Sequence, residues 1–345
     1  MRANPAVPMT ANGSTTKRPR VMSGMRPTGQ LHIGHYIGVL TQWARYCEVA
    51  DAYFEIADLH AYTTGFAEPQ LIRESRNEMV IDWLAAGVDP QRSTFFLQSG
   101  IPEISELQVL LGMITPQSWL ERVPTYKGQI EALGQEIATY GFLGYPLLQL
   151  CDIAAFRGEE VPVGRDQVAH LEFGREVVRR FNYLYGNGEQ ILVEPKAMLV
   201  EGGAEVPGID GRKMSKSYNN TILLADTQDV TTKKVRSMIT DPQKVRRNDP
   251  GHPEICPVFA LWKLVKPQHV PLVEEDCRSG ALGCVQDKTD FAQALNEYLR
   301  PIRERRAMYA SDIAQVEGII DEGTARAREI AIETLADVKH AMKLV

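Results

Sequence analysis

Two histidines and two lysines carry most of the chemistry available to this chain. His32 and His35 lie in Pro27-Thr28-Gly29-Gln30-Leu31-His32-Ile33-Gly34-His35, where a strand over Arg20–Met25 gives way to a helix beginning near Leu31. A helix start offers unpaired backbone N–H groups and the positive end of its dipole, which suits a phosphate. Gly29 and Gly34 let an anion approach, and both imidazoles can donate to an α-phosphate as charge builds there during displacement. Taken alone, two histidines three residues apart equally fit a helix surface. Lys213 and Lys216, in Lys213-Met214-Ser215-Lys216-Ser217, share a polar loop with two hydroxyls, bounded by Gly208 and Gly211. It fits a mobile clamp on a pyrophosphate leaving group, where lysines and Mg²⁺ counter charge on the β- and γ-phosphates. Alone, it reads as a solvated turn; the two strings in this order and at this separation point to ATP.

These residues need a scaffold that brings distant loops together. Val21 to Met25 reads as a buried first strand, followed by Ile37, Leu40, Ala44 and Cys47 at helical spacing. A second strand over 52–58 precedes a helix that Pro69 opens and Gly87 closes, and 93–98 supplies a third. The stretch 101–138 reads as a mostly helical insertion, after which Val161-Pro162-Val163 resumes a strand. Strands alternating with helices predict an α/β fold with a parallel sheet and a ligand crevice at the carboxyl ends of its strands. Beyond Ser217 the pattern is helical, with one stripe through Phe291, Leu295, Tyr298, Leu299 and Ile302 and another through Ala331, Leu335, Val338, Met342 and Val345.

A length of 345 residues implies two domains, and 44% hydrophobic with 24% charged residues is a globular composition without an apolar run of the ~18 residues that span a membrane. The net charge of −6 argues against an overall nucleic-acid footprint. Local basic clusters remain at Lys233, Lys234 and Arg236, at Lys244, Arg246 and Arg247, and at Arg300, Arg303, Arg305 and Arg306; each also fits a solvated face of a helical domain with basic outer faces. Residues 1–19 read as a disordered tail, in which Pro5, Pro8 and Pro19 oppose an amphipathic transit peptide. Five cysteines in a chain of this length make no disulfide framework, and the expected compartment is the cytoplasm.

The two strings resemble the HIGH and KMSKS signatures of class I aminoacyl-tRNA synthetases. Between them, Tyr145-Pro146-Leu147-Leu148-Gln149-Leu150-Cys151-Asp152-Ile153 followed by Val161-Pro162-Val163-Gly164-Arg165-Asp166-Gln167 resembles the tryptophanyl-tRNA synthetase family. The resemblance runs from about Arg20 to the C-terminus. It implies a Rossmann-type catalytic domain over 20–209, a KMSKS loop over 210–220 and a helical anticodon-binding domain over 221–345. It further implies a homodimer that joins L-tryptophan to tRNA(Trp) using ATP with Mg²⁺. By the same resemblance Asp152 accepts the indole N–H, Tyr145 and Gln167 hold the ammonium, and Met22, Gly24, Gln149, His60, Val161 and Val163 complete the amino-acid pocket. Arg26, Pro27, Thr28, Gly34, His35, Gly164, Arg165, Asp166, Val206, Lys213, Met214, Ser215, Lys216 and Ser217 would bind ATP, and Lys127 would reach its phosphates. A site built to bond an indole N–H penalises phenylalanine by leaving a buried acceptor unpaired. The first step needs no general base, because an amino acid's carboxylate is already ionised at pH 7. In isolation, an Asp on a helix faces solvent, such valines are core residues and such a lysine lies on the surface.

Two departures from the family pattern stand out. Relatives often carry Met at the position of Gln149 and Phe near Met22, so ring-substituted tryptophans are expected to be tolerated. Cys256, Cys277 and Cys284 resemble a four-cysteine iron–sulfur site, but Asp287 takes the fourth position, which favours three buried cysteines over a cluster. The alternatives are a tyrosyl-tRNA synthetase, against which Met22 argues because those enzymes typically carry Tyr in the first strand, and a paralogue acting mainly as a tryptophan-binding partner.

Overall fold

Five strands, Arg20–Met25 (β1), Asp51–Ile56 (β2), Ser93–Leu97 (β3), Glu160–Val163 (β4) and Lys196–Leu199 (β5), form a parallel sheet in the order β3-β2-β1-β4-β5. The structure is a computed structural model that describes residues 18–199 and 206–345, with the side chains of 125, 127, 129, 132 and 133 left undescribed. Strand order reverses between β1 and β4, so the crevice opens at the carboxyl ends of those two strands.

Side chains alternate across β2, which sends Phe54 to one core and Tyr53 and Glu55 to the opposite face. Phe54 stacks on Trp43 at 4.3 Å between ring centroids, in a core shared with Trp83, Phe95 and the buried stripe Phe291, Leu295, Leu299 and Ile302 of the helix Cys284–Ala310. Tyr53 stacks on Phe156 at 5.6 Å, in a core shared with Met22, Val161 and the helix Tyr145–Ala155. The helix Pro69–Ala86 has Pro69 in its first turn and ends on Gly87 in the left-handed region at φ +95°, as expected from the sequence.

Several expectations need adjustment. The helix after β1 starts at Ile33 and not Leu31, because His32 takes the capping position. β2 stops at Ile56, and Asp58 opens the helix Asp58–Gly65, a place where a carboxylate meets the positive end of the dipole. β5 went unpredicted because this edge strand is half exposed and lacks an apolar run. The second C-terminal stripe ends with its helix, Ile313–Ala341, and Val345 is exposed. That helix packs on β3, where a side chain at Gly323 would collide with the Phe95 carbonyl and Thr324 Oγ1 accepts from Leu97 N–H at 3.0 Å.

Of the three basic clusters, the one at Arg300, Arg303, Arg305 and Arg306 is largely turned inward, whereas Lys233, Arg236, Arg246 and Arg247 stay exposed. Arg303 donates to Thr231 and Asn296, Arg305 to the Ala85 carbonyl and Arg306 to Asp82, and Arg300 alone among these four stays on the surface, beside Glu304. Buried oxygen acceptors draw those guanidinium groups in. Cys256 is buried, and burial pushes its thiol up to about 11, while Cys277 and Cys284 are half-buried. Asp287 is engaged by Trp262, whose Nε1 donates to it at 2.8 Å. Among the described residues no helix is long and apolar enough to cross a membrane. The expected tail falls mostly on residues 1–17, outside the described part.

Candidate active site

At the end of β1, His32 and His35 cap their helix reciprocally. Gly34 N–H donates to His32 Nδ1 at 3.1 Å, and His32 N–H donates to His35 Nδ1 at 3.3 Å. A ring nitrogen that accepts carries no proton, so the neutral rings must carry theirs on Nε2. Burial first, and then the neighbouring Lys216, lowers His32 to about 4; burial, then His32 and Lys216, lowers His35 to about 3. At neutral pH the pair therefore offers two uncharged Nε2–H donors, with ring centroids 3.8 Å apart.

The second string closes onto the first. Ile33 N–H donates to the Ile222 carbonyl and Leu224 N–H to the Leu31 carbonyl, so the segment following the lysine loop runs alongside the histidine segment. Lys216 Nζ donates to the carbonyls of Thr28 at 3.0 Å and Gly29 at 2.9 Å, with Gly29 at φ +98°. Burial lowers Lys216 to about 8, with Asp82 pulling the other way. Met214 N–H bonds the Val206 carbonyl, and Val206 packs near Gly34. Asn220 fixes the loop's turn by accepting from Ser215 N–H and donating to the carbonyl of Lys213. Lys213 and Ser217 remain exposed.

Behind this loop stands a brace that sequence reasoning missed. Asp82 has no exposed surface; it accepts from Leu31 N–H at 2.9 Å and from Arg306 Nε at 2.8 Å. Arg306 also pairs with Glu78, which accepts from Gln30 Nε2. Burial raises Asp82 to about 6, against the Leu31 N–H and Arg306, which lower it. The first string is thus held from one side by Lys216 and from the other by the C-terminal helices.

The adjacent pocket is lined by Met22, Gly24, Glu55, Tyr145, Gln149, Asp152 and Val161, among others, and holds ≈ 450 Å³ of free space including its open mouth. Asp152 is fixed on both oxygens, by Gln98 Nε2 at 2.8 Å and by His60 Nε2 at 2.8 Å. Gln98 in turn accepts from His60 N–H at 3.2 Å. Tyr145 lies edge-on to His60 with 4.2 Å between ring centroids, and burial raises its phenol. Gln149 Oε1 accepts from His170 Nδ1 at 2.9 Å.

Of the sequence-expected residues, His60 of the amino-acid pocket and Arg26, expected at the nucleotide, also line the cavity. Val163 is packed in the core and Gln167 turns toward Asp166, so neither is among the lining residues. Gly164, Arg165 and Asp166 form the turn that follows β4, and Pro27 and Thr28 sit in the loop that follows β1. Lys127 lies on the helix Pro124–Leu133, and its side chain is outside the described part. The sequence reading overlooked Glu55, Gln98 and Asp82, and it placed Arg306 on a solvated face. For Glu55 and Asp82 a signal existed: each is a lone carboxyl inside an apolar run.

Residues 14–300 match the family model described as tRNA synthetases class I (W and Y). The chain is 43% identical to the tryptophan–tRNA ligase of Aquifex aeolicus, over 94% of this chain and 100% of that protein. It is 42% identical to that of Thermotoga maritima, over 94% and 99%. Among solved structures, tryptophanyl-tRNA synthetase from Campylobacter jejuni complexed with ADP and tryptophan aligns with a TM-score of 0.86 at 32% identity, covering 94% of this chain and 99% of that one. Tyrosyl-tRNA synthetase from Archaeoglobus fulgidus shares the fold at a TM-score of 0.63 and 22% identity. The parallel sheet, the two interlocked signature loops and these likenesses together establish that the chain belongs to the class I tRNA synthetases of the tryptophan and tyrosine type, and within them to the tryptophan–tRNA ligase family.

Proposed function

We propose that this chain condenses L-tryptophan with ATP to tryptophanyl-adenylate and pyrophosphate, then passes the acyl group to the 3′-terminal adenosine of tRNA(Trp). The supporting observation is the seating of Lys216 on the carbonyls of Thr28 and Gly29, which closes the lysine loop over the histidine loop beside a pocket floored by Asp152. The tryptophan carboxylate attacks the α-phosphorus in line. Positioning and charge stabilisation carry the step. The Nε2–H groups of His32 and His35 donate to oxygens at the α-phosphate without bringing charge of their own. Lys213 and Lys216, with the hydroxyls of Ser215 and Ser217, receive the departing pyrophosphate, whose Mg²⁺ arrives as part of the substrate. Gly164, Arg165 and Asp166 hold the ribose, with Arg26, Pro27, Thr28, Gly34, Val206 and Met214 completing the nucleotide site and Lys127 reaching the phosphates.

Tyr145 and Gln167 take the substrate ammonium, and the carboxyl end of the pocket around Asp152 takes the indole N–H. Met22, Gly24, Gln149, His60, Val161 and Val163 shape the ring slot, directly or from behind its wall. The tRNA anticodon is assigned to the helical third, 221–345, and the working form to a homodimer in the cytoplasm. ATP–pyrophosphate exchange tests this reading: exchange is expected with tryptophan and not with tyrosine or phenylalanine. Absence of exchange with tryptophan overturns it, and exchange without charging of tRNA(Trp) favours a tryptophan-binding partner protein instead.

A further inference from the structure

The chain carries a net charge of −6, yet one groove on its surface has the opposite sign. Trp119, Arg122, Glu176, Arg179, Arg180 and Tyr183 line it, three guanidinium groups against one carboxylate, and it holds ≈ 880 Å³ of free space including its open mouth. Its walls are the short helix Gln117–Glu121, with Arg122 at its end, and the second half of the helix Val168–Tyr185. Helical periodicity builds the second wall: Val177, Val178 and Phe181 are buried in the core, which turns Glu176, Arg179, Arg180 and Tyr183 outward.

The arginines of the groove are not equally engaged. Glu194 pairs with Arg179 at 2.9 Å and with Arg175 at 3.6 Å. Arg122 and Arg180 form no ion pair among the described residues. The Arg180 guanidinium lies over the Trp119 ring instead, 5.9 Å from its centroid. Trp119 is half-buried and packs against the core that holds Met22 and Val161, so the platform under Arg180 is fixed. A cation–π contact leaves the guanidinium charged and its N–H donors open to an anion. Nearby, Tyr183 is 88% exposed, and its phenol adds a further donor. Held guanidinium groups and a hydroxyl along one groove match the phosphate oxygens of a nucleic-acid backbone.

We propose that this groove seats the phosphate backbone of tRNA(Trp), through Arg122 and Arg180, with Trp119 holding Arg180 in place. This rests on the tRNA-charging reading above, in which tRNA is the polyanion the reaction needs besides ATP. The helix Val168–Tyr185 begins beside the turn Arg165–Gln167 that follows β4, and Arg180 lies roughly 18 Å along its axis from Val168. A tRNA whose 3′ adenosine enters the crevice must lay the arm behind that end over surface at such a distance. Contacts to the backbone there position the arm and leave the reacting atoms untouched.

Binding of a tRNA(Trp) transcript to the full-length chain, with Kd read from about 50 to about 200 mM salt, tests this. Arg122→Gln combined with Arg180→Gln is expected to raise Kd about tenfold at low salt and to flatten the slope of log Kd against log salt by about two, one for each lost phosphate contact. Arg122→Lys combined with Arg180→Lys keeps both charges and is expected to keep the slope. Trp119→Leu removes only the platform and is expected to raise Kd about threefold. Tryptophan-dependent pyrophosphate exchange needs no tRNA and should stay within about twofold in every variant, which shows that each is folded. A slope that falls equally in the lysine variant overturns the proposal. So does a glutamine variant whose sedimentation changes while its tRNA affinity does not, because the groove is then a contact between subunits. A parental chain that exchanges but does not bind tRNA(Trp) overturns both the groove and the transfer step of the underlying reading. Parental binding with Kd and slope unchanged in the glutamine variant refutes the groove alone.

Discussion

At the nucleotide end of the crevice, basic side chains sit where burial takes charge from them: His32 is lowered to about 4, His35 to about 3 and Lys216 to about 8. At the amino-acid end, acidic side chains crowd together, and burial, then Asp152 and Asp58, push the Glu55 acid well above the usual carboxylate range. The first region thus offers neutral donors and one movable ammonium to a polyanion. The second offers fixed acceptors to a mostly apolar ring. On the function proposed above, charge that develops during displacement is met at one end, while the identity of the amino acid is read at the other. Changes at the nucleotide end should therefore appear in kcat, and changes in the pocket should appear in the KM for tryptophan.

The largest expected effect is at Lys216. Lys216→Ala removes the ammonium and its two carbonyl contacts, and should lower the kcat of pyrophosphate exchange roughly a thousandfold. The KM for tryptophan should stay within about twofold, because nothing in the pocket has changed. Steady-state exchange kinetics over both substrates checks this, and a loss carried by the tryptophan KM would erase the division between the two ends. Asp152→Asn comes next. Gln98 and His60 both donate to Asp152, and an amide can accept from only one of them while its own N–H₂ meets the other. The expected outcome is roughly a hundredfold lower kcat/KM for tryptophan, mostly in KM. Titration of tryptophan at saturating ATP reads it, and an unchanged KM would show that the pocket does not depend on this anchor.

The same contrast explains what the sequence disclosed. The proposed nucleotide end was legible because its parts are local, two histidines three apart that cap one helix and two lysines that share one turn, and the two strings read together pointed to ATP. Asp152 and Tyr145 were reachable through their neighbours on one helix. Glu55 and Gln98 were not, since Glu55 stands on β2 and Gln98 in the turn just after β3, and both come to the Asp152 pocket only when that end of the sheet is laid beside the helix. Arg306 was misread for a related reason. Its helix periodicity marks a surface, and only tertiary packing reveals that Asp82, 224 positions away, is the partner. The edge strand β5 escaped because an exposed strand has no hydrophobic rhythm to betray it.

Arg306 joins the nucleotide end to the helical third, and breaking that joint should cost less activity than either change above. Arg306→Met leaves Asp82 buried without its cation, which should destabilise the chain by about 3 kcal/mol. Exchange should fall about tenfold, since Leu31 N–H loses a fixed acceptor and the first string is no longer braced. Urea denaturation and exchange at 25 °C measure the two effects. A variant as stable as the parent would show that the brace is incidental to the fold.

The smallest effect concerns pH and links both sides of the loop. An amine is charged below its pKa, so Lys216, lowered to about 8, keeps its clamp at neutral pH and loses it as pH rises through that value. Exchange limited by the clamp should stand at about half its plateau at pH 8 and continue to fall above it. Lys216→Arg carries a guanidinium that stays charged over this range, so its profile should be flat there, whatever its absolute rate. Asp82 opposes the lowering of Lys216. Asp82→Asn should therefore move the alkaline limb to lower pH, even though the substituted residue touches neither Lys216 nor the pocket. An alkaline limb that stays put in Asp82→Asn, or that survives in Lys216→Arg, would assign the titration to another group and separate the brace from the clamp.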